Sequence, residues 1–121
     1  TDSSKTKTGM VLGTPSYMSP EQLSGKKVDG RSDLFSLGVT FYQMLSGRLP
    51  FKGDSMATLM YKIANEAHEG IDVVRPDLVK QRPCVSAIID KALQKSVEDR
   101  YQTGAEMARD LQQCAKEVVK K

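Results

Sequence analysis

Histidine is almost missing from this sequence: His68 is the only one among 121 residues. Two cysteines, Cys84 and Cys114, accompany it without metal-ligand spacing. A zinc site needs about four clustered nitrogen or sulfur ligands, so no metal site is expected. No apolar run approaches the roughly 20 residues that a membrane span requires, and no membrane segment is expected either. An excess of charge is lacking as well. Eighteen basic residues against fifteen acidic ones leave a net charge of +3, with small lysine clusters at Lys5/Lys7 and Lys116/Lys120/Lys121. That balance describes a solvated surface and no nucleic-acid partner. The sequence has no signal peptide and no initiator methionine, so Thr1 reads as the cut end of a longer chain. Each cysteine falls at an apolar or semi-apolar helical position. Reduced, free thiols of a cytoplasmic protein are therefore expected.

What is there has the composition of one small globular domain, with 39% apolar and 27% charged residues. Residues 1–12, TDSSKTKTGMVL, read as a mobile segment with only Met10-Val11-Leu12 as an anchor. The stretch GTPSYMSPEQ at positions 13–22 carries two prolines. Proline removes a backbone donor and disfavours helix in the residue before it, so a shaped, non-helical loop is expected up to Ser19. Ser19 suits an N-cap, with Pro20 in the first turn of a short helix.

After the polar connection SGKKVDGR comes SDLFSLGVTFYQMLSG, from Ser32 to Gly47. Its apolar residues Leu34, Phe35, Leu37, Val39, Phe41, Tyr42, Met44 and Leu45 go nearly all round a helix, which predicts a buried central post. Ser32 or Asp33 can cap its start, and Gly47 can end it in a left-handed turn. Three amphipathic helices follow. Met56, Leu59, Met60, Ile63 and Ala67 mark the first, and Val85, Ile88, Ile89, Ala92 and Leu93 the second. The third opens with Thr103 and Glu106 in capping-box spacing and continues with Met107, Leu111, Cys114 or Ala115, and Val118. The intervening IDVVRPDLVKQRP reads as an irregular, turn-rich connection. No strand pair and no repeat is evident, so the fold class is all-α.

Four of these stretches together resemble the serine/threonine protein kinases. GTPSYMSPEQ is similar to the pattern G-T-x-x-Y-x-[AS]-P-E that closes the family's activation segment, with Ser19 where the signature carries alanine. Ser32-Asp33-Leu34-Phe35-Ser36-Leu37-Gly38 resembles the start of its central large-lobe helix. Leu49-Pro50-Phe51 resembles the motif after that helix, and Glu98-Asp99-Arg100-Tyr101 the arginine-bearing turn before the last one. The intervals match, the resemblance covers essentially the whole chain, and SPEQ and RYQT look closest to bacterial members. Ser96-Val97 departs from the pattern, which usually has a proline before the position of Glu98.

The resemblance implies that residues 1–121 are part of a kinase catalytic domain, with activation segment and substrate shelf over 1–22 and a helical subdomain over 23–121. Gly13, Thr14, Pro15, Ser16 and Tyr17 would form the shelf that receives the substrate beside its phosphoacceptor, Met18 helping to shape it. Thr14 would present its hydroxyl to the catalytic centre, a feature that goes with Ser/Thr specificity. Glu21 and Arg100 would make a buried ion pair tying shelf to lobe. Asp33 would anchor the catalytic loop from the central helix. Thr6 and Thr8 are the phosphorylation candidates, from their interval ahead of the shelf. Taken singly, Glu21 reads as a solvated helix-start carboxylate, Asp33 as an N-cap and Thr14 as turn chemistry; their joint spacing favours the kinase reading. His68 and the cysteines read as ordinary structural residues.

Phosphoryl transfer in this template needs a Gly-rich loop, a strand lysine, a catalytic Asp and Asn, and a Mg²⁺-binding Asp. The sequence contains no G-x-G-x-x-G, H-R-D or D-F-G. ATP and Mg²⁺ are thus implied for a full-length kinase, while no catalytic residue and no bound cofactor are expected in this chain, which should be inactive alone. Its expected partners are the missing N-terminal part of the same kinase, a protein substrate and, through the exposed remainder of the central helix, a second copy of itself. The competing readings are a helical protein-interaction module and a fragment of a pseudokinase.

Overall fold

In the computed structural model, residues 14–117 are described, with the side chains of Thr14 and Pro15 left aside. Every regular element among the described residues is helical, as an all-α reading requires. The chain enters through one turn of 3-10 helix at Thr14–Tyr17, where a non-helical loop was expected. Pro15 does not prevent this, because a missing N–H costs nothing in a first turn. Helix α1, Pro20–Leu23, follows with Ser19 as N-cap. The Ser19 hydroxyl accepts from the Gln22 amide, while the Gln22 side chain accepts from the Ser19 amide at 2.8 Å. The first turn is closed at both ends of this reciprocal pair.

The central helix α2 runs over Gly30–Ser46 and begins earlier than its apolar pattern suggests. Its cap is Asp29, whose carboxylate accepts from the Arg31 amide at 2.9 Å, in place of Ser32 or Asp33. Gly47 ends it with φ at 75°, a left-handed conformation that suits glycine. The helix is buried along one broad side by Leu34, Phe35, Gly38, Val39 and Tyr42. The expectation of burial all round is not met. Leu37 is 49% and Met44 77% exposed, because no described element lies over that side.

Helices α3 (Met56–Asn65), α6 (Cys84–Ala92) and α7 (Gly104–Lys116) are the three amphipathic ones. Thr103 caps α7 by accepting from Glu106, but the Glu106 carboxylate reaches the Gln102 amide, one residue before the reciprocal position. The connection read as irregular contains two short helices, α4 (Ile71–Val74) and α5 (Pro76–Gln81). A 3-10 turn at Val97–Asp99 forms without the family's proline. The core joins Phe35, Val39 and Tyr42 of α2 to Ile63 of α3, Ile71 of α4, Ile88, Ile89 and Ala92 of α6, and Met107 of α7. Gly38 lets α2 and α6 touch: a Cβ there would sit 2.7 Å from that of Ala92.

The cysteines overturn the expectation of free thiols. Cys84, the first residue of α6, is disulfide-bonded to Cys114 in the last turn of α7. Their Cα atoms lie 5.7 Å apart, within disulfide reach. The antiparallel packing of the two helices brings the sulfurs together, which residue spacing alone does not reveal. His68 is structural. Its Nε2 lies 2.8 Å from Asp90 Oδ1, and its ring stands edge-on to Tyr42 and Phe51.

Candidate functional site

A stripe of polar residues on α2 grips the segment before it. Ser32, Ser36 and Gln43 recur at four and seven residues, so they share one face of the helix. Ser36 donates its hydroxyl to the Tyr17 carbonyl at 2.5 Å. The Tyr17 hydroxyl donates in turn to the Gln43 side-chain oxygen. Ser32 donates to Glu21 Oε2 at 2.5 Å. The 3-10 turn and α1 are therefore fastened along three turns of the central helix. Neither Ser36 nor Gln43 was read as functional from sequence; two serines and a glutamine interrupting a strongly apolar helix were the available signal.

The structure brings Glu21 and Arg100 together across the molecule. Arg100 is 1% and Glu21 7% exposed, and the guanidinium meets the carboxylate with two parallel bonds of 2.7 and 3.1 Å. An arginine offers five N–H donors. The remaining three go to the carbonyls of Gln94 at 3.0 Å, Arg31 at 2.9 Å and Lys95 at 3.2 Å. Every donor is used, which is the condition under which a buried ion pair is tolerated. The guanidinium also stacks over Phe35, 5.0 Å from the ring centroid. Burial alone raises the Glu21 carboxyl, but hydrogen bonds from Arg100 and Ser32 and the Arg100 charge outweigh it and hold the carboxyl at about 2. The Glu21 carboxylate stays ionised throughout the physiological range.

Beside Arg100, Lys95 donates to the carbonyls of Ile63 at 2.6 Å and Lys62 at 3.3 Å, closing the C-terminal end of α3. Its ammonium lies 4.0 Å over the Phe51 ring. Burial, reinforced by the neighbouring Arg100 charge, lowers this ammonium to about 8.

Among the other candidate residues, Ser16 is 4% exposed and forms one wall of a cavity of about 300 Å³. Leu49, Met56 and Leu59 line its apolar side, with Lys52 and Asp54 among its polar residues. Asp33 sits exposed in the first turn of α2. Thr14 and Pro15 are placed by their backbone in the 3-10 turn. Thr6, Thr8 and Gly13 lie outside the described residues.

ATP and Mg²⁺ do not fit what is described. No three His, Cys, Asp or Glu side chains come together as metal ligands among the described residues, and the sequence carries no glycine-rich phosphate cradle. No step of phosphoryl transfer is assigned to these side chains. No described helix is long and apolar enough to cross a membrane.

Comparison with known proteins agrees with this geometry. The protein kinase domain model matches residues 1–116. The serine/threonine-protein kinase PknB of Mycobacterium leprae is 45% identical over 115 residues, covering 89% of this chain and 17% of that protein. The serine/threonine-protein kinase PksC of Streptomyces coelicolor is 44% identical over 105 residues, covering 85% of this chain and 18% of that protein. Among solved structures, the twitchin kinase region of C. elegans superposes with a TM-score of 0.69 at 25% identity, over 84% of this chain and 17% of that one. The Mycobacterium tuberculosis PknI kinase domain shares the fold, with a TM-score of 0.61 at 24% identity over 82% of this chain and 34% of that one. The chain thus spans about a sixth of the length of these curated relatives. Matched from residue 1 to residue 116 and built on a helical base of kinase shape, it belongs to the protein kinase family.

Proposed function

We propose that this chain is the substrate shelf and helical base of an enzyme that transfers the γ-phosphate of ATP to serine or threonine of a protein. The observation that carries the reading is the Glu21–Arg100 pair, in which all five arginine donors are used to fix the segment 14–23 to the helices behind it. A surface that must present a peptide in one geometry gains by being rigid before the peptide arrives. Gly13, Thr14, Pro15, Ser16 and Tyr17 form that surface. The cavity beside Ser16 offers an apolar recess for a substrate side chain next to the phosphoacceptor.

In this reading residues 1–22 are activation segment and shelf, and residues 23–121 the helical subdomain. Thr6 and Thr8 take phosphate during activation, adding charge and acceptors that order the segment against basic groups elsewhere in the kinase. Asp33 and the exposed side of α2, with Leu37 and Met44, receive the N-terminal part of the same kinase, which brings the catalytic loop, ATP and Mg²⁺. Without that part the same apolar side pairs with a second copy. The need for ATP places the domain in the cytoplasm, where disulfides are usually transient.

The test is phosphotransfer by the full-length protein, offered ATP, Mg²⁺ and peptides that present serine, threonine or tyrosine. Labelling of the serine and threonine peptides alone is the expected result. Absence of transfer from an intact, folded protein would overturn the reading.

A further inference from the structure

The two ends of α7 are held in different ways. Its first half is fixed by ordinary packing: Met107 is 1% exposed, Leu111 is half-buried, and the buried Tyr101 donates its hydroxyl to Asp110 at 2.8 Å. From Gln112 to Glu117 every residue except Cys114 is exposed. Besides the packing of Cys114 in the core, two attachments among the described residues hold that last turn. One is the disulfide from Cys114 to Cys84. The other is Arg82, whose Nη1 donates to the carbonyls of Cys114 at 2.6 Å, Ala115 at 3.1 Å and Glu117 at 2.5 Å. Three carbonyls share one NH₂ group with two hydrogens, and the bonds to Ala115 and Glu117 are exposed to water. Such bonds contribute little once the backbone they bind is free to move. Both attachments come from the same corner of the fold, residues 82–84 at the start of α6.

We infer that Cys84–Cys114 is a redox-sensitive clasp, which docks the last turn of α7 when oxidised and releases it when reduced. The sulfurs differ in access. Cys114 is 4% exposed, whereas Cys84 is only half-buried and meets solvent at the head of its helix. A small dithiol attacks the Cys84 sulfur, forming a mixed disulfide there; Cys114 leaves as a thiolate and takes up a proton. The second thiol of the reductant then attacks its own bridged sulfur, and Cys84 leaves and is protonated in turn. Two electrons and two protons pass to the protein, and the reductant ends as a disulfide. Met107 lies seven residues before Cys114, and the Tyr101–Asp110 bond precedes Leu111, so release stops near Leu111. This clasp stands independently of the kinase reading.

The test uses the full-length protein purified without reductant, exposed to dithiothreitol under native conditions, with peptide-level hydrogen exchange and thiol alkylation followed together. Both cysteines should become alkylated, and exchange over 112–117 should rise by at least about tenfold. Exchange over 34–42 and 85–92 should stay unchanged, and reoxidation with glutathione disulfide should restore the original pattern. Cys84→Ser, at the half-buried position, should exchange rapidly over 112–117 from the start and ignore dithiothreitol. Cys114→Ser should match it if it folds. Four results would overturn the clasp: free thiols before any reductant is added, reduction only in denaturant, unchanged exchange after reduction, or a rise in exchange across all helices at once.

Discussion

Replacing Arg100 by alanine removes the guanidinium that pairs with Glu21 in its buried site. The variant leaves a carboxylate that is 7% exposed with the Ser32 hydroxyl as its remaining side-chain donor. It also strips one donor from each of the Gln94, Arg31 and Lys95 carbonyls. Breaking a buried pair from one side typically costs about 3–5 kcal/mol. The part linked to protonation is the net of Arg100, Ser32 and backbone hydrogen bonds against burial. The Glu21 carboxyl falls from 4.5 to about 2 on folding, which at about 1.4 kcal/mol per pH unit is worth about 3 kcal/mol. The sign follows from protons bound. The folded-state value is depressed, so the stabilisation is complete above about 4.5 and is lost as pH falls towards about 2. Urea denaturation at pH 7 and at pH 3 checks both figures. Wild type should be more stable than Arg100→Ala by about 3 kcal/mol or more at neutral pH, with the gap narrowing in acid. A difference below about 1 kcal/mol at pH 7, the scale of a surface pair, would refute the reasoning.

Gly38→Ala should destabilise the protein by about 1–3 kcal/mol despite alanine's better helix propensity, since the new methyl would lie 2.7 Å from the Ala92 Cβ, which cannot turn aside. Thermal melting reads this directly, and an unchanged or raised melting temperature counts against the α2–α6 contact. Lys95 has its folded-state value lowered to about 8, so its burial penalty is relieved as the amine loses its proton, and stability should rise with pH between about 8 and 10. Lys95→Met should flatten that rise in denaturation series across the window; an identical slope in both proteins would contradict the lysine's placement. Tyr17→Phe removes the hydroxyl that donates to Gln43 and should cost about 1 kcal/mol in the same assay, whereas no loss would mean that this bond does not hold the shelf.

The parts of the fold visible in the sequence are those with a local cause. Ser19 and Pro20 announce the start of α1 because a hydroxyl cap and a first-turn proline act within a few residues. Gly47 marks the end of α2 for a comparable reason. The start of α2 was hidden, because its first turn, Gly30-Arg31, is polar and the apolar pattern begins only at Leu34. Helices α4 and α5, of four and six residues, are too short to show a 3.6-residue period. The Cys84–Cys114 bond depends on how α6 and α7 pack, which no spacing between two cysteines encodes. At the site, the proximity of Glu21 and Arg100 became readable only through the family pattern, since nothing local relates residues 79 positions apart. The polar stripe of Ser32, Ser36 and Gln43 was present in the sequence, but its meaning depends on Tyr17 and Glu21 lying across from it.

The central claim is that the Glu21–Arg100 pair holds a substrate shelf, and steady-state kinetics of the full-length protein test it most directly. Wild type and Arg100→Ala are compared for phosphorylation of one serine peptide, below the melting temperature of both. The account predicts that kcat/KM for the peptide falls by at least about tenfold, equivalent to about 1.4 kcal/mol, while KM for ATP changes by less than about twofold. Equal peptide kinetics in the two folded proteins, or a loss confined to ATP binding, would contradict it.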